Sequence, residues 1–368
     1  MITPYLEAMN RPGQDRHYFN ERFWKNRPAV AGLLLILGIC ITSALGYLII
    51  PDSSPDANYQ FPEYALEKPG FRLEVLEVPR IPEPAKEGLL TRMLVGQPPR
   101  IHSIPFTEYR VDGDSVNVMR QGGDTAVFHV GDQISNIRVS MRVFPLGTDR
   151  FGRCFLSRLV IGARVSLAVG LIAVVISLTI GLLLGALAGY SGGRTDNVIM
   201  LLINAVWSIP TILLVFAIVL SLGRHAWNVY LAVGLTMWVD VARLVRGQVI
   251  DLKSRPFVEA AKSMGFRGIR ILFYHILPNI IGPLLVITAA NFAMAILIEA
   301  GLSYLGFGIQ PPQPSWGNLL NEHYGFALSG HIHLAVIPAL CIMLLVLSFN
   351  LLGNGLRDAF DVKAGARK

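Results

Sequence analysis

The dominant pattern along the chain is a set of long runs that contain no Asp, Glu, Lys or Arg. Five of them, 28–50, 165–190, 198–223, 276–298 and 334–356, meet the length of about 20 apolar helical residues that the hydrocarbon core of a bilayer requires. A sixth, 226–239, is shorter and runs into Asp240 and Arg243, so it spans only if those charges reach the interface. The pattern predicts an all-α membrane protein with six transmembrane helices in that order, the fourth being the shortest. A signal peptide is the rival reading of the first run. Its flank is long, however, and its core exceeds the usual length of about 7 to 15 residues.

Between the first two spans the character changes. Nine prolines lie between positions 51 and 99, which predicts an extended, irregular lead-in without regular helix. Beyond it Tyr109 and Val111 alternate with polar neighbours, and Asp112-Gly113 is a hairpin signal. Ile137, Val139, Met141 and Val143 alternate with Arg138, Ser140 and Arg142, a strand period. The expected organisation is an N-terminal segment 1–28, the first span 29–50, and a small strand-containing extracytoplasmic insert 51–146. A core of five spans, 147–356, follows with a loop at 244–277, then a tail 357–368. The insert reads equally well as a docking surface or a spacer.

Composition narrows the class. Of 368 residues, 52% are hydrophobic and 15% charged, against about 25% charged in a soluble domain. That argues against a water-soluble enzyme and excludes a disordered chain, and three cysteines exclude a disulfide scaffold. The net charge of +7 is explained by its location. With the N-terminus inside, 17 of the 32 basic residues fall on cytoplasmic pieces, whereas 51–164 balances 14 basic against 14 acidic residues. This is a positive-inside signature with both termini cytoplasmic, and no basic stripe is left for nucleic acid.

Local spacings add detail. Ser177, Gly181, Gly185 and Gly189 recur every four residues in the second span, a small-residue face on which another helix packs closely in lipid. Pro210 and Pro283 can bend the third and fifth spans. In the loop 246–279, Pro256 suits a first helical turn and Glu259 complements a helix N-terminus. Phe257, Ala260, Ala261 and Met264 fall on one apolar face, and Gly265 permits a reversal. A second amphipathic piece, 266–277, leads into Pro278. Two short helices joined by a glycine suit a groove in another protein; a helix pair lying on the lipid surface is the equal alternative.

Glu259-Ala260-Ala261, three residues, Gly265 and then Leu277-Pro278 resemble the EAA loop of bacterial ABC-importer permeases, and the run to Asn279 resembles the dipeptide/oligopeptide branch. His275 stands where the strict pattern prefers an aliphatic residue, as in many members of that branch. ERFWKNRPAVAGL before the first span, GTDRFGRCFLSRLVIGARVSL from Gly147 and GYSGGRTDNVIM from Gly189 are also similar to it. So are LSYLGFGIQPPQPSWGNLL from Leu302 and NLLGNGLRDAFD from Asn350. The resemblance implies a type I ABC importer permease fold in the bacterial inner membrane and half of a peptide pathway. The implied partners are a second homologous permease, an extracytoplasmic substrate-binding protein and two ABC ATPase subunits. It further implies that the helix from Glu259 to Gly265 docks in the ATPase groove, with Glu259, Ala260, Ala261, Gly265, Leu277 and Pro278 as coupling residues.

Cys154, Asn204 and Asn354 replace aspartates of the family pattern, and the outer insert is longer than usual. No G-x-x-x-x-G-K-[ST] loop is present, so the chain is expected to be a transport subunit with ATP hydrolysed on a partner, and no cofactor is implied. An ion-coupled secondary transporter would need ionisable groups inside the spans, where only Glu299 and the borderline Asp240 qualify. Glu299 reads as an interfacial or helix-packing residue. A membrane-anchored protein acting through its outer insert is the other alternative. Two-apart histidines such as His331 and His333, with His323, can ligate zinc, but only Glu322 accompanies them, so polar loop histidines are the default reading and no metal is expected.

Overall fold

The computed structural model describes residues 21–80, 88–120, 123–131, 136–223 and 225–360. Much of the N-terminal segment, Arg224 and most of the basic tail, all used in the charge argument, lie outside the described residues. Two compact units are formed. One comprises Met1–Ile39, Ser166–Gln310 and Leu340–Lys368; the other comprises Cys40–Val165 and Pro311–Ala339.

The first apolar run folds as α1 (Arg27–Ala44) followed by one more turn, α2 (Gly46–Ile49). In the insert, α3 (Leu89–Val95) corrects the expectation of a lead-in without regular helix, and β1 (Phe71–Pro79) is extended as expected but regular. Proline fixes its own φ and removes its own donor; α3 occupies a gap that the prolines leave, and β1 runs up to Pro79 at its last position. β1 is the centre of an antiparallel sheet, flanked by β2 (Ile101–Pro105) and β6 (Arg138–Phe144). A second three-stranded sheet contains β3 (Glu108–Asp112), β4 (Ser115–Met119) and β5 (Thr125–His129). Asp112 pairs with Ser115 across Gly113, whose φ is +57°, so the hairpin signal is met by a turn that needs a left-handed residue. Leu76, Val78, Ile104, Val116, Val118 and Val130 form one apolar cluster of the insert, and Phe61, Leu73, Val75 and Phe144 belong to a second. On β6 the polar positions bond within the sheet: Ser140 donates to Glu77 Oε1 at 2.7 Å and Arg142 to Ser103 Oγ at 2.7 Å. Val139, Met141 and Val143 are left exposed.

The remaining helices are α4 (Phe155–Ser191), α5 (Gly193–Trp207), α6 (Thr211–Leu222), α7 (Ala226–Lys253), α8 (Pro256–Ser263), α9 (Gly268–Ile271), α10 (Ile281–Tyr304), α11 (Trp316–His323) and α12 (His333–Phe360). Among the described residues five helices are long and apolar enough to cross a membrane. The count rises to six if α5 and α6, bent by 88° at their break, make one span. Pro210 sits at that break as the residue before α6, where its missing N–H and restricted φ stop the preceding helix. Pro283 does not interrupt its helix. It is the third residue of α10, in the first turn, where no intrahelical donor is lost. The fourth span gains its length by continuing past Asp240 to Lys253, which makes the first part of the expected 244–277 loop helical. Arg243 lies 4.0 Å from the Trp207 ring, and Arg246 grips Asp196 with Nε–Oδ1 and Nη2–Oδ2 contacts of 2.5 and 2.7 Å.

The four-residue spacing on α4 meets α7. A Cβ on Gly181 would lie 2.5 Å from Val241 Cβ, one on Gly185 2.4 Å from the Ala242 carbonyl oxygen, and one on Gly189 2.8 Å from the Arg246 carbonyl oxygen. Ser177 is fully buried and returns its hydroxyl to Val174 O at 3.0 Å. Backbone carbonyls cannot swing aside as side-chain tips do, so a methyl group at 185 must push the helices apart. Gly185→Ala is expected to destabilise the chain by about 1–3 kcal/mol; a thermal-shift assay in detergent checks this, and an unchanged melting temperature would refute the close contact.

Candidate functional site

The segment joining α7 to α10 starts with an exposed turn in which Arg255 pairs with Asp251 at 2.9 Å. Exposed i,i+4 pairs contribute about 0.3–0.5 kcal/mol, so this turn is held mainly by the packing of α8. Pro256 occupies the first turn of α8, and Glu259 is its first-turn acid. At the other end Gly265, with φ +77°, brings Phe266 N to Ala261 O at 3.2 Å and its own N–H to Lys262 O at 2.9 Å. This is a glycine-closed helix C-terminus. A Cβ on Gly265 would meet nothing within 4 Å, so the backbone angle alone demands glycine here.

α8 has two faces. Val258 and Ala261 are buried in a cluster with Ala186 of α4, Val245 and Val249 of α7, and Ile271, Ile276 and Ile280 beyond the turn. Phe257 packs against the same cluster, whereas Glu259, Ala260 and Met264 are exposed. The single apolar face expected through Phe257, Ala260, Ala261 and Met264 is therefore split. Phe257 and Ala261 turn inward together with Val258, leaving Ala260 and the 67% exposed Met264 outside. A 100° step per residue cannot put 257, 260, 261 and 264 and also 258 on one narrow stripe, and burial selects the pair 258 and 261.

The path continues through α9, a π-helical stretch Leu272–Ile276 and a 3-10 stretch Leu277–Ile280. Leu277 is half-buried against the cluster, while Pro278 is exposed in the 3-10 turn. A Cβ on Gly268 would come 2.7 Å from Tyr190 Oη, and Lys253 Nζ donates to Tyr190 O at 2.5 Å. The ends of α4 and α7 are thereby tied to this segment. Outward it presents Ile269, Phe273 and Tyr274, all mostly exposed. A short helix rigidly keyed into the ends of three long helices, with a second face left open, can transmit a displacement applied to that open face.

A second cluster was not singled out by sequence spacing. Asp149, Arg153, Arg158, Glu322 and His323 are all buried. Arg153 Nε meets Asp149 Oδ2 at 2.5 Å and its Nη2 meets Glu322 Oε2 at 2.7 Å; Arg158 lies 3.7 and 3.9 Å from the same two carboxylates. The signal was the alternation of acid and base in TDRFGRCFLSR directly before an apolar run. Nothing in that run names the partner 169 positions away.

The three histidines weighed as a metal alternative are not assembled, and His323, read by default as a polar loop residue, is instead buried in α11. His331 and His333 rings lie 6.3 Å apart, and His323 groups instead with Asp149 and Glu322, their ligand atoms within 4.8 Å of one another. Two guanidinium groups already neutralise those carboxylates, so a metal cation would have to displace them, and the donor set does not fit a metal. Burial pushes His323 below the ordinary histidine value, keeping it neutral with Nδ1 2.8 Å from Leu319 O. In the unfolded chain it takes up a proton at about pH 6.5. Stability is therefore fully present above that pH and is lost as pH falls through the folded value. The expected outcome is a melting temperature that falls on acidification below about pH 6.5, with a shallower fall in His323→Gln.

Glu299 is buried in α10, accepting from Ser303 Oγ at 2.7 Å and Ser166 Oγ at 3.3 Å. It serves helix packing. Asp240 is exposed on α7.

Several membrane-length helices, a proline-broken pair and a keyed helical turn between two of them define a polytopic membrane protein. Residues 181–364 match the family described as binding-protein-dependent transport system inner membrane component, and the chain belongs to that family. Over 218 residues it is 44% identical to the glutathione transport system permease protein GsiD of Pectobacterium atrosepticum, covering 59% of this chain and 72% of that protein. Over 217 residues it is 43% identical to the dipeptide transport system permease protein DppC of Alkalihalophilus pseudofirmus, covering 59% and 71%. A solved chain of the MetNI methionine ABC transporter in inward-facing form aligns at 20% identity with a TM-score of 0.42, covering 53% of this chain and 93% of that one.

Proposed function

We propose that this chain is the transmembrane permease subunit of an ATP-driven importer for peptides or similar small solutes, worked by a separate ATPase through the turn from Glu259 to Gly265. In this reading both termini are cytoplasmic and the chain has six spans, with α5 and α6 forming one of them, in a type I importer permease arrangement. It pairs with a second homologous permease and takes cargo from an extracytoplasmic binding protein. The relatives' names, a glutathione and a dipeptide permease, support the cargo class.

The observation that carries the coupling is the split of α8: Val258 and Ala261 locked among α4, α7 and the start of α10, Glu259, Ala260 and Met264 open. A partner can shift the equilibrium of the spans only through contacts that differ between two states, and this open face offers them. The close packing of Gly181, Gly185 and Gly189 on α7 supports their role as a rigid seam through which such a displacement travels. Substituting cysteine at Ala260 or Met264 and applying a short bifunctional crosslinker to inner-membrane vesicles is expected to link the chain to a copurifying ATPase, with a yield that changes with ATP. Labelling of the same cysteines in intact cells by an impermeant reagent would overturn the reading.

A further inference from the structure

The insert helix α3 bears a stripe that nothing among the described residues covers. Its sequence is LLTRMLV, and on a 100° wheel Leu89, Leu90, Met93 and Leu94 share about 140°, with Thr91, Arg92 and the single apolar Val95 on the other side. Leu89, Leu90 and Leu94 are 64, 75 and 70% exposed. Three adjacent leucines open to water would be an unusual cluster on a soluble surface.

The position of α3 says what covers them. Arg164 donates from Nη1 to Leu94 O at 2.8 Å, and from Nε and Nη2 to Ser43 O at 3.2 and 2.8 Å. Gln97 N donates to Ser53 O at 2.9 Å, and Gly96 sits so close to Tyr47 that a Cβ there would lie 2.8 Å from its ring. Through these bonds the C-terminal end of α3 is held level with residues 43–53. There the first apolar run ends at Pro51-Asp52, and Arg164 itself precedes the charge-free run of α4. Two independent span boundaries thus meet beside α3. The Arg164 guanidinium lies 5.0 Å from the Tyr47 ring, and tyrosine and arginine are the residues that gather at headgroup level. The neighbouring turn exposes Leu48 and Ile49, so the leucine stripe continues an apolar surface that faces hydrocarbon.

We infer that α3 is an interfacial helix: its leucine stripe inserts into the acyl-headgroup boundary of the leaflet on the insert's side, and Thr91 and Arg92 face the water. The occupant of the stripe is lipid. This requires only that α1 and α4 span the bilayer, and it holds whichever way the chain is oriented.

The test places a nitroxide at position 90, 91, 92 or 94 in turn, in full-length chain with Cys40, Cys154 and Cys341 replaced. Each variant is reconstituted in nanodiscs of phosphatidylethanolamine and phosphatidylglycerol with whatever subunits copurify. Power saturation is then measured with oxygen and with a water-soluble nickel chelate. Labels at 90 and 94 are expected to be mobile, and their nickel-to-oxygen accessibility ratio several-fold lower than at 91 and 92. Equal nickel accessibility at all four positions would overturn the inference in favour of a solvated helix. Immobile labels at 90 and 94, shielded from both reagents, would overturn it in favour of a protein partner. A parallel reading of fluorescence quenching by lipids carrying a shallow doxyl group separates insertion from any local unfolding caused by the label.

Discussion

Gly265→Pro is expected to abolish coupled uptake while leaving the protein inserted in the membrane, with ATP hydrolysis by the partner continuing without transport. Gly265 holds φ at +77° and donates its N–H to Lys262 O; proline fixes φ near −65° and has no N–H. It also disfavours the helical conformation of the residue before it, here Met264 at φ −79° and ψ 5°. The turn that brings Phe266 N back to Ala261 O cannot close. Gly265→Ala makes the graded comparison. Its Cβ meets nothing within 4 Å, so it carries only the left-handed penalty of about 1–2 kcal/mol. Alanine is therefore expected to lower the ratio of uptake to hydrolysis about tenfold, the effect of roughly 1.4 kcal/mol, and proline to bring it to background. The measurement is peptide uptake and ATP hydrolysis in the same proteoliposomes; wild-type coupling in the proline variant would end the proposal. Because the altered turn is exposed, membrane yield and assembly should stay near normal.

Glu322→Ala acts on folding. The Glu322 carboxylate is one of two that face the buried Arg153 and Arg158, and its loss leaves an uncompensated cation where water cannot reach. Breaking one partner of a buried pair costs about 3–5 kcal/mol, so the variant should melt far below the parent and accumulate poorly in membranes. Replacing Arg153 and Glu322 together by methionine removes charge and partner at once. It is expected to recover part of the loss, because isosteric apolar replacement of a buried pair is often neutral. A double variant no more stable than Glu322→Ala would mean that Arg158, not Arg153, carries the burden, and Arg158→Met would then be the rescuing change. Melting curves of all four proteins decide between these.

The spans were legible because lipid imposes one requirement on every residue of a crossing helix, the absence of charge over about 20 positions, and that survives without knowledge of neighbours. The turn at Gly265 was legible for a similar reason, since a positive φ is a local demand. The faces of α8 were not. Residues 257, 258, 260, 261 and 264 are all apolar, and only the position of Val245, Val249 and Ile276 makes Val258 an inner residue and Met264 an outer one. Nor was the helix in the insert, since the nine prolines between 51 and 99 masked the gap in which α3 forms. Pro210 and Pro283 show the same division: they are chemically identical in the sequence, and what separates them is whether the helix had already begun.

Charge-free length, the four-residue glycine spacing and the EAA-type turn were thus set by sequence alone, each being a rule about a residue and its near neighbours. Which helix the glycines approach, which arginine meets Glu322, and how far the third apolar run turns at Pro210, 88°, were decided only by tertiary structure. Those outcomes depend on atoms brought together from distant parts of the chain, and their energies are differences between competing packings that no local pattern encodes.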